Sequence, residues 1–256
     1  MMRGHQGQIV FKHKGPASMG YKDDLYALFD VPESLKQWLE ENFFQSADND
    51  ASIALRRMLA GDLQFDNDMR SSWSRFIMSL MARTPDRIEY VRGAYEAEIP
   101  NFRHSLEEAY DLDNIGKVPQ PTAEQREAAI KQAISLGTGR LIQGVMDLPN
   151  IGVQLNGMIW NIRTIEAAGG RFFLTSDKPV YLSKGLQHDD AFFTLPISST
   201  KLFLASKSQA ELDRLGQMSE ADIVQAVNKT VVQQAIKYVY AKSDLERNFV
   251  FKHLRS

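Results

Sequence analysis

The chain contains no cysteine. Disulfides, thiolate nucleophiles and cysteine-ligated zinc are therefore excluded, and the absence fits a reducing cytoplasm. Histidine is scarce: the five residues at 5, 13, 104, 188 and 253 are scattered, whereas a metal site needs clustered ligands. No apolar run approaches the roughly 20 residues that span a bilayer. The opening MMRGHQGQIVFKHKG has neither an apolar signal core nor a small-residue cleavage site. A cytoplasmic protein with no membrane partner is the expectation. The phosphate cradles GxxxxGK[ST] and GxGxxG are absent, as is the nucleophile elbow GxSxG. Charge of either sign is not in excess: the formal net charge is -2. No whole-molecule field draws in nucleic acid or an anionic membrane, although a local basic patch would not show in that sum.

What is present is ordinary for a folded protein. Hydrophobic content is 43% and charged content 24%, within the range of globular domains. At 256 residues the chain is long enough for one large domain or two small ones. The patterning favours a single domain, 1–256. It would comprise a helical part at about 32–148, a β-hairpin sheet at about 157–206 and C-terminal helices at about 208–254.

QIVFK, Gln8 to Lys12, reads as a short strand, followed by Gly15 and Pro16; GYKDDLYALFDVP is mostly irregular. Leu35, Trp38, Leu39 and Phe43 then recur at helical spacing. Asp50 is placed to cap a second helix through Ala60, and Asp66 or Asn67 a third that carries Trp73, Phe76, Ile77, Leu80 and Met81. Thr84 with Pro85 opens a fourth, since proline at the first helical position forgoes only an N–H that has no partner there. Pro100 should kink or end that helix. TAEQ, Thr122 to Gln125, is a capping box. Its helix is expected through about Leu136, with Gly137 and Gly139 as a stop and a shorter helix over Arg140 to Asp147.

After Pro149 the period changes. WNIRTIEA and RFFLTS flank AAGG, Ala167 to Gly170, and read as a β-hairpin. KPVYLS, FFTLPIS and KLFLAS continue the strand-like run. Ser208 and Ser219 then start helices, the second with Ile223, Val227, Val231, Ala235 and Val239 on its buried side, and Leu245 to Leu254 closes the chain. Helices, then strands, then helices give an α+β fold, mainly α-helical, with a small antiparallel sheet in the C-terminal half.

RFFLTSDKPV raises the functional question. Asp177 and Ser176 sit in a strand-ending phrase, and their side chains can bond backbone amides a residue or two on, with Pro179 stiffening the exit. Equally, a carboxylate at a strand end can face a cleft as a base or metal ligand. Arg83, just before the Thr84 cap, complements a helix C-terminus or pairs with a carboxylate. Asn228 lies in an apolar helix phrase, where it either clamps a neighbouring loop or faces water. HDD, His188 to Asp190, reads as a polar loop tip rather than a metal site.

Three phrases together resemble the bacterial family catalogued as domain of unknown function 4238: FIMSLMARTPDR; RFFLTSDKPV with FFTLPISSTKLFL; and VNKTVVQQAIKYVYA. GYKDDLYAL is similar to its early region. The resemblance covers nearly the whole chain. It raises Arg83, Thr175, Ser176, Asp177, Pro179 and Asn228 to motif positions and implies no activity. The family's opening phrase resembling H-x-V-P-x-x-y-L-r-x-F is lacking, so the start is either truncated or altered, and His5 is no substitute.

The expectation is therefore an uncharacterised protein that binds a small molecule or a protein partner without catalysis, its cofactor unknown and no metal ligands assigned. The alternative is a hydrolase, with or without a metal, acting on phosphoester or nucleic-acid substrates through Asp177 and Arg83, with Thr175, Ser176 and Asn228 as binding residues. Arg83 and Asp177 are expected to approach each other.

Overall fold

Helix heads are where the sequence declares itself. The Thr122 hydroxyl accepts from the Gln125 amide while the Gln125 side chain accepts from the Thr122 amide, so two otherwise orphaned donors are satisfied together. Asp66 accepts from the Met69 amide in the same way, and Ser208 and Ser219 accept from the amides of Glu211 and Asp222. Thr84 precedes Pro85 at a helix head as expected, but its side chain makes no capping bond.

The computed structural model describes residues 2–3, 9–13, 27–28, 31–166 and 170–254. Among the expectations above, His5, Gly15 with Pro16, most of GYKDDLYALFDVP and Ala167 to Gly169 lie outside those residues. In chain order the regular elements are β1 (Met2–Arg3), β2 (Ile9–Val10), α1 (Gln45–Leu59), α2 (Asn67–Ala82), α3 (Pro85–Asp113), α4 (Ala123–Met146), α5 (Pro149–Gly157) and β3 (Ile159–Thr164). Then come β4 (Thr175–Ser176), β5 (Tyr181–Leu182), β6 (Phe192–Pro196), β7 (Lys201–Ser206), α6 (Gln209–Gln217), α7 (Glu220–Gln234), β8 (Val239–Tyr240) and α8 (Arg247–Leu254). The fold is α+β and mainly helical. No helix of the described residues is long and apolar enough to cross a membrane.

The chain divides into two compact units. The first contains β1, β2, residues 50–81 and everything described from Pro149 onward. Its centre is a four-stranded antiparallel sheet in the order β3-β7-β6-β5. β7 shows how the sheet builds two cores: side chains alternate faces along a strand. Leu202 and Leu204 pack with Leu212, Val224 and Val231 of α6 and α7. Phe203 and Ala205 pack on the other face with Trp73 and Ile77 of α2, Met58 of α1 and Leu155 of α5. A two-stranded ladder, β4 with β8, belongs to the same unit.

The second unit, residues 22–49 and 82–148, is built on the α3–α4 hairpin. Leu28, Leu39, Phe44, Ile88, Val91 and Ile142 form its core.

Several expectations are corrected. Asp50 is no cap: α1 runs from Gln45, after a π-helical turn over Glu40–Phe44. The polar SADND phrase looks like a break, but Ala47, Ala51 and Ala54 supply a buried face through it. α3 continues through Pro100. That residue and Glu96, whose carbonyl loses its partner, are both exposed, so water can take the missing bond. Gly137 and Gly139 lie inside α4 rather than ending it. A Cβ on Gly137 would stand 2.1 Å from the Tyr95 hydroxyl, and one on Gly139 would stand 3.1 Å from Leu28. These glycines permit close packing, not a stop. Pro149 opens α5, a helix the sequence reading missed, as a first-position proline can.

The AAGG hairpin is also corrected. β3 pairs with β7 from Ile159↔Ser206 to Thr164↔Lys201, not with RFFLTS. Residues 171–174 form no strand. Their backbone groups are taken by side chains and a loop, as follows.

Candidate functional site

Asn228 on α7 is 1% exposed. Its Oδ1 accepts from the Leu174 amide at 2.8 Å and its Nδ2 donates to the Phe172 carbonyl at 2.8 Å. A side-chain amide has the donor and acceptor of a peptide group, so Asn228 replaces the strand partner that segment 172–174 lacks. The Phe173 amide donates to the Ser199 carbonyl at 2.9 Å, fastening the segment to the β6–β7 turn. Glu246, buried among the last residues, lies near Arg171 and the Phe172 amide. Its Oε1 has no hydrogen-bond partner. Burial pushes this carboxyl up from its ordinary value, against the opposing pull of Arg171 and the Phe172 amide.

Asp177 follows directly. Its Oδ1 accepts from the Ile236 amide at 3.0 Å, and its Oδ2 from Lys237 at 2.6 Å and Tyr238 at 3.1 Å. The Asp177 amide donates back to the Tyr238 carbonyl at 3.2 Å. Three of the roughly four acceptor sites of a carboxylate are thus filled by backbone. This explains why α7 stops at Gln234 and why Val239, expected on the helix, sits in β8 instead: the amides of Ile236, Lys237 and Tyr238 turn to the Asp177 carboxylate rather than continue the helix. The Gln234 side chain donates to the Lys178 and Val180 carbonyls, the second at 3.2 Å. Ser176, buried, accepts from the Lys178 amide at 3.1 Å and completes a serine turn.

These bonds shape a cleft of about 220 Å³. One wall is Phe173, Leu174 and Thr175; a second is the turn Pro196 to Ser199; the third is Tyr240, Ala241 and Lys242. Phe173 and Leu174 are buried and provide apolar surface. Thr175 and Tyr240 are cross-strand neighbours. The hydroxyls of Thr175, Ser199 and Tyr240 have no hydrogen-bond partner among the described residues, whereas Ser198 is occupied by the Thr200 amide. Burial, then the nearby charge of Asp177, pushes the Tyr240 phenol up, so it remains a neutral donor near pH 7. Lys242 rests its ammonium 4.3 Å from the centroid of the Phe172 ring.

Of the sequence candidates, the structure brings Thr175, Ser176, Asp177 and Asn228 into one network. Thr175 lines the cleft; the other three shape its walls. Arg83 belongs to the second unit, where its Nη1 donates to both Asp48 oxygens at 3.0 and 3.1 Å. Glu40, beside that pair, has its carboxyl raised by burial first and by Asp48, with Arg83 pulling the other way. Lys242, Ser199, Tyr240 and Glu246 were not singled out from sequence. The signal was thin: Lys242 only follows the YVYA phrase, and Ser199 only lies within ISST. At HDD, Lys184 is ion-paired to Asp190. No group of three acidic, histidine or cysteine side chains placed to hold a metal occurs among the described residues.

No curated protein and no solved structure gives a match to the chain. The family described as "Protein of unknown function (DUF4238)" matches residues 3–244, which takes in α1 to α7, the sheet and every residue of the cleft, and the chain belongs to that family.

Proposed function

We propose that this protein binds a small ligand without catalysing its conversion, in the cleft between segment 173–175, the β6–β7 turn and residues 240–242. The observation that carries the reading is the occupancy of Asp177. A general base needs a lone pair aimed at a substrate proton, whereas this carboxylate is engaged by three successive backbone amides. It acts as the pin of the cleft. Beside it, three residues with uncommitted hydroxyls and one lysine line the cleft together with apolar side chains, the usual composition of a small-molecule site. The cleft volume of about 220 Å³ lies below the roughly 300–1,000 Å³ of drug-sized pockets, which favours a metabolite smaller than a nucleotide.

The test pairs two assays on the same purified chain. Thermal shift is read against a panel of small metabolites, nucleotides and divalent cations, for wild type and for Ser199→Trp, which fills the cleft. Hydrolysis of bis(p-nitrophenyl) phosphate with Mg²⁺ or Mn²⁺ is read for wild type and Asp177→Asn. The reading expects a metabolite shift that Ser199→Trp removes, and no Asp177-dependent turnover. Turnover that disappears in a folded Asp177→Asn would replace binding with the hydrolase reading.

A further inference from the structure

We infer that the ligand of this cleft is a small organic monocarboxylate with an apolar body. The inference rests on the reading of the cleft as a binding site and adds the chemical class of what it takes. Lys242 is the cationic side chain of the lining, and it has no acidic partner among the described residues. The Phe172 ring supports the ammonium through its π face without cancelling its charge. Three hydroxyls without partners, on Thr175, Ser199 and Tyr240, add neutral donors around the same space. One lysine with neutral donors balances the single negative charge of a carboxylate, but only part of the roughly -1.5 to -2 charge of a phosphate monoester near pH 7. Among the described residues no acidic side chain lines the cleft; Asp177, whose charge reaches Tyr240, has its oxygens committed to backbone amides, which leaves an ammonium ligand no carboxylate to pair with directly. The remaining surface, from Phe173, Leu174, Pro196 and Ile197, asks for hydrocarbon.

Isothermal titration calorimetry with four probes that share a phenyl ring and differ in head group tests this: phenylacetate, phenylacetamide, phenyl phosphate and benzylamine. They are titrated into wild type, Lys242→Met and Ser199→Trp, with circular dichroism confirming each fold. Phenylacetate is expected to bind about tenfold more tightly than phenylacetamide, the order of magnitude of one partly exposed charge-assisted bond. Lys242→Met should erase that ratio while leaving phenylacetamide binding in place. Raising the salt concentration should weaken phenylacetate alone. Equal affinity for acid and amide, both lost in Ser199→Trp, would overturn the carboxylate assignment and leave the cleft as the site. Preference for phenyl phosphate or benzylamine would overturn it in favour of that head group. Failure of all four to bind would overturn both the class and the reading of the cleft beneath it.

Discussion

Asp177 reads in sequence as either a turn former or a catalytic carboxylate, and in space it caps backbone amides. Its three bonds to successive amides are charge-assisted, and hydrogen bonds to charged groups contribute about 1.5–3 kcal/mol in net terms. Asp177→Ala should therefore lower the melting temperature, read by calorimetry, and by no more than several degrees, because Ile236 and Lys237 are exposed residues where water replaces part of the loss. An unchanged melting temperature would remove Asp177 from the pinning role. Glu246 gives a prediction with a sign. Its folded pKa is raised above the ordinary 4.5, so the folded state holds the proton more tightly than the unfolded one. Its stabilising contribution is fully present below about 4.5 and is lost as pH rises through the folded value. Glu246→Gln mimics the protonated form and keeps the size of the side chain. It should raise the melting temperature at pH 7, with the advantage shrinking to nothing as pH falls to about 4.5; thermal scans across that window check it.

Among the elements, the extended stretch 172–174 is the most informative. It reads as a strand by composition, yet its partners are the Asn228 side chain and the Ser199 carbonyl of a turn rather than a strand. Asn228→Val would leave the Leu174 amide and the Phe172 carbonyl without partners, and each buried unsatisfied group costs about 1–3 kcal/mol. A loss of about 2–4 kcal/mol in denaturant unfolding is expected, larger than for any exposed position of α7. The α3–α4 hairpin supplies a second test. Gly137→Ala places a methyl against the Tyr95 hydroxyl, and overpacking of this kind costs about 1–3 kcal/mol. Tyr95→Phe combined with Gly137→Ala should recover much of that loss, since the closest clashing atom is gone; no recovery would mean that the ring, not the hydroxyl, sets the helix spacing. Both elements show what local pattern conveys. Caps at Asp66, Thr122, Ser208 and Ser219 were legible because their chemistry is confined to four residues. The pairing of β3 with β7, the passage of α4 through Gly137 and the end of α7 at Gln234 were not. Each depends on a partner distant in sequence: Lys201–Ser206, Tyr95 and Asp177 respectively.

For the molecule as a whole, the α+β class followed from the change of period after Pro149, and the family-like phrases marked a real neighbourhood. RFFLTSDKPV, the ISST turn and the end of VNKTVVQQAIKYVYA meet around one cleft. The role of that neighbourhood was not legible, because a turn-forming aspartate and a catalytic one share a sequence signature and differ only in what fills their lone pairs. Lys242 escaped notice for the opposite reason: a lysine is unremarkable until its surroundings are seen to lack an acid. The central claim, that this cleft is where the protein meets its ligand, is most directly tested by amide-resolved NMR of the labelled chain titrated with phenylacetate. The account predicts saturable shift changes concentrated at residues 173–175, 197–199 and 240–242. Saturable changes elsewhere, with those amides unmoved, would contradict it.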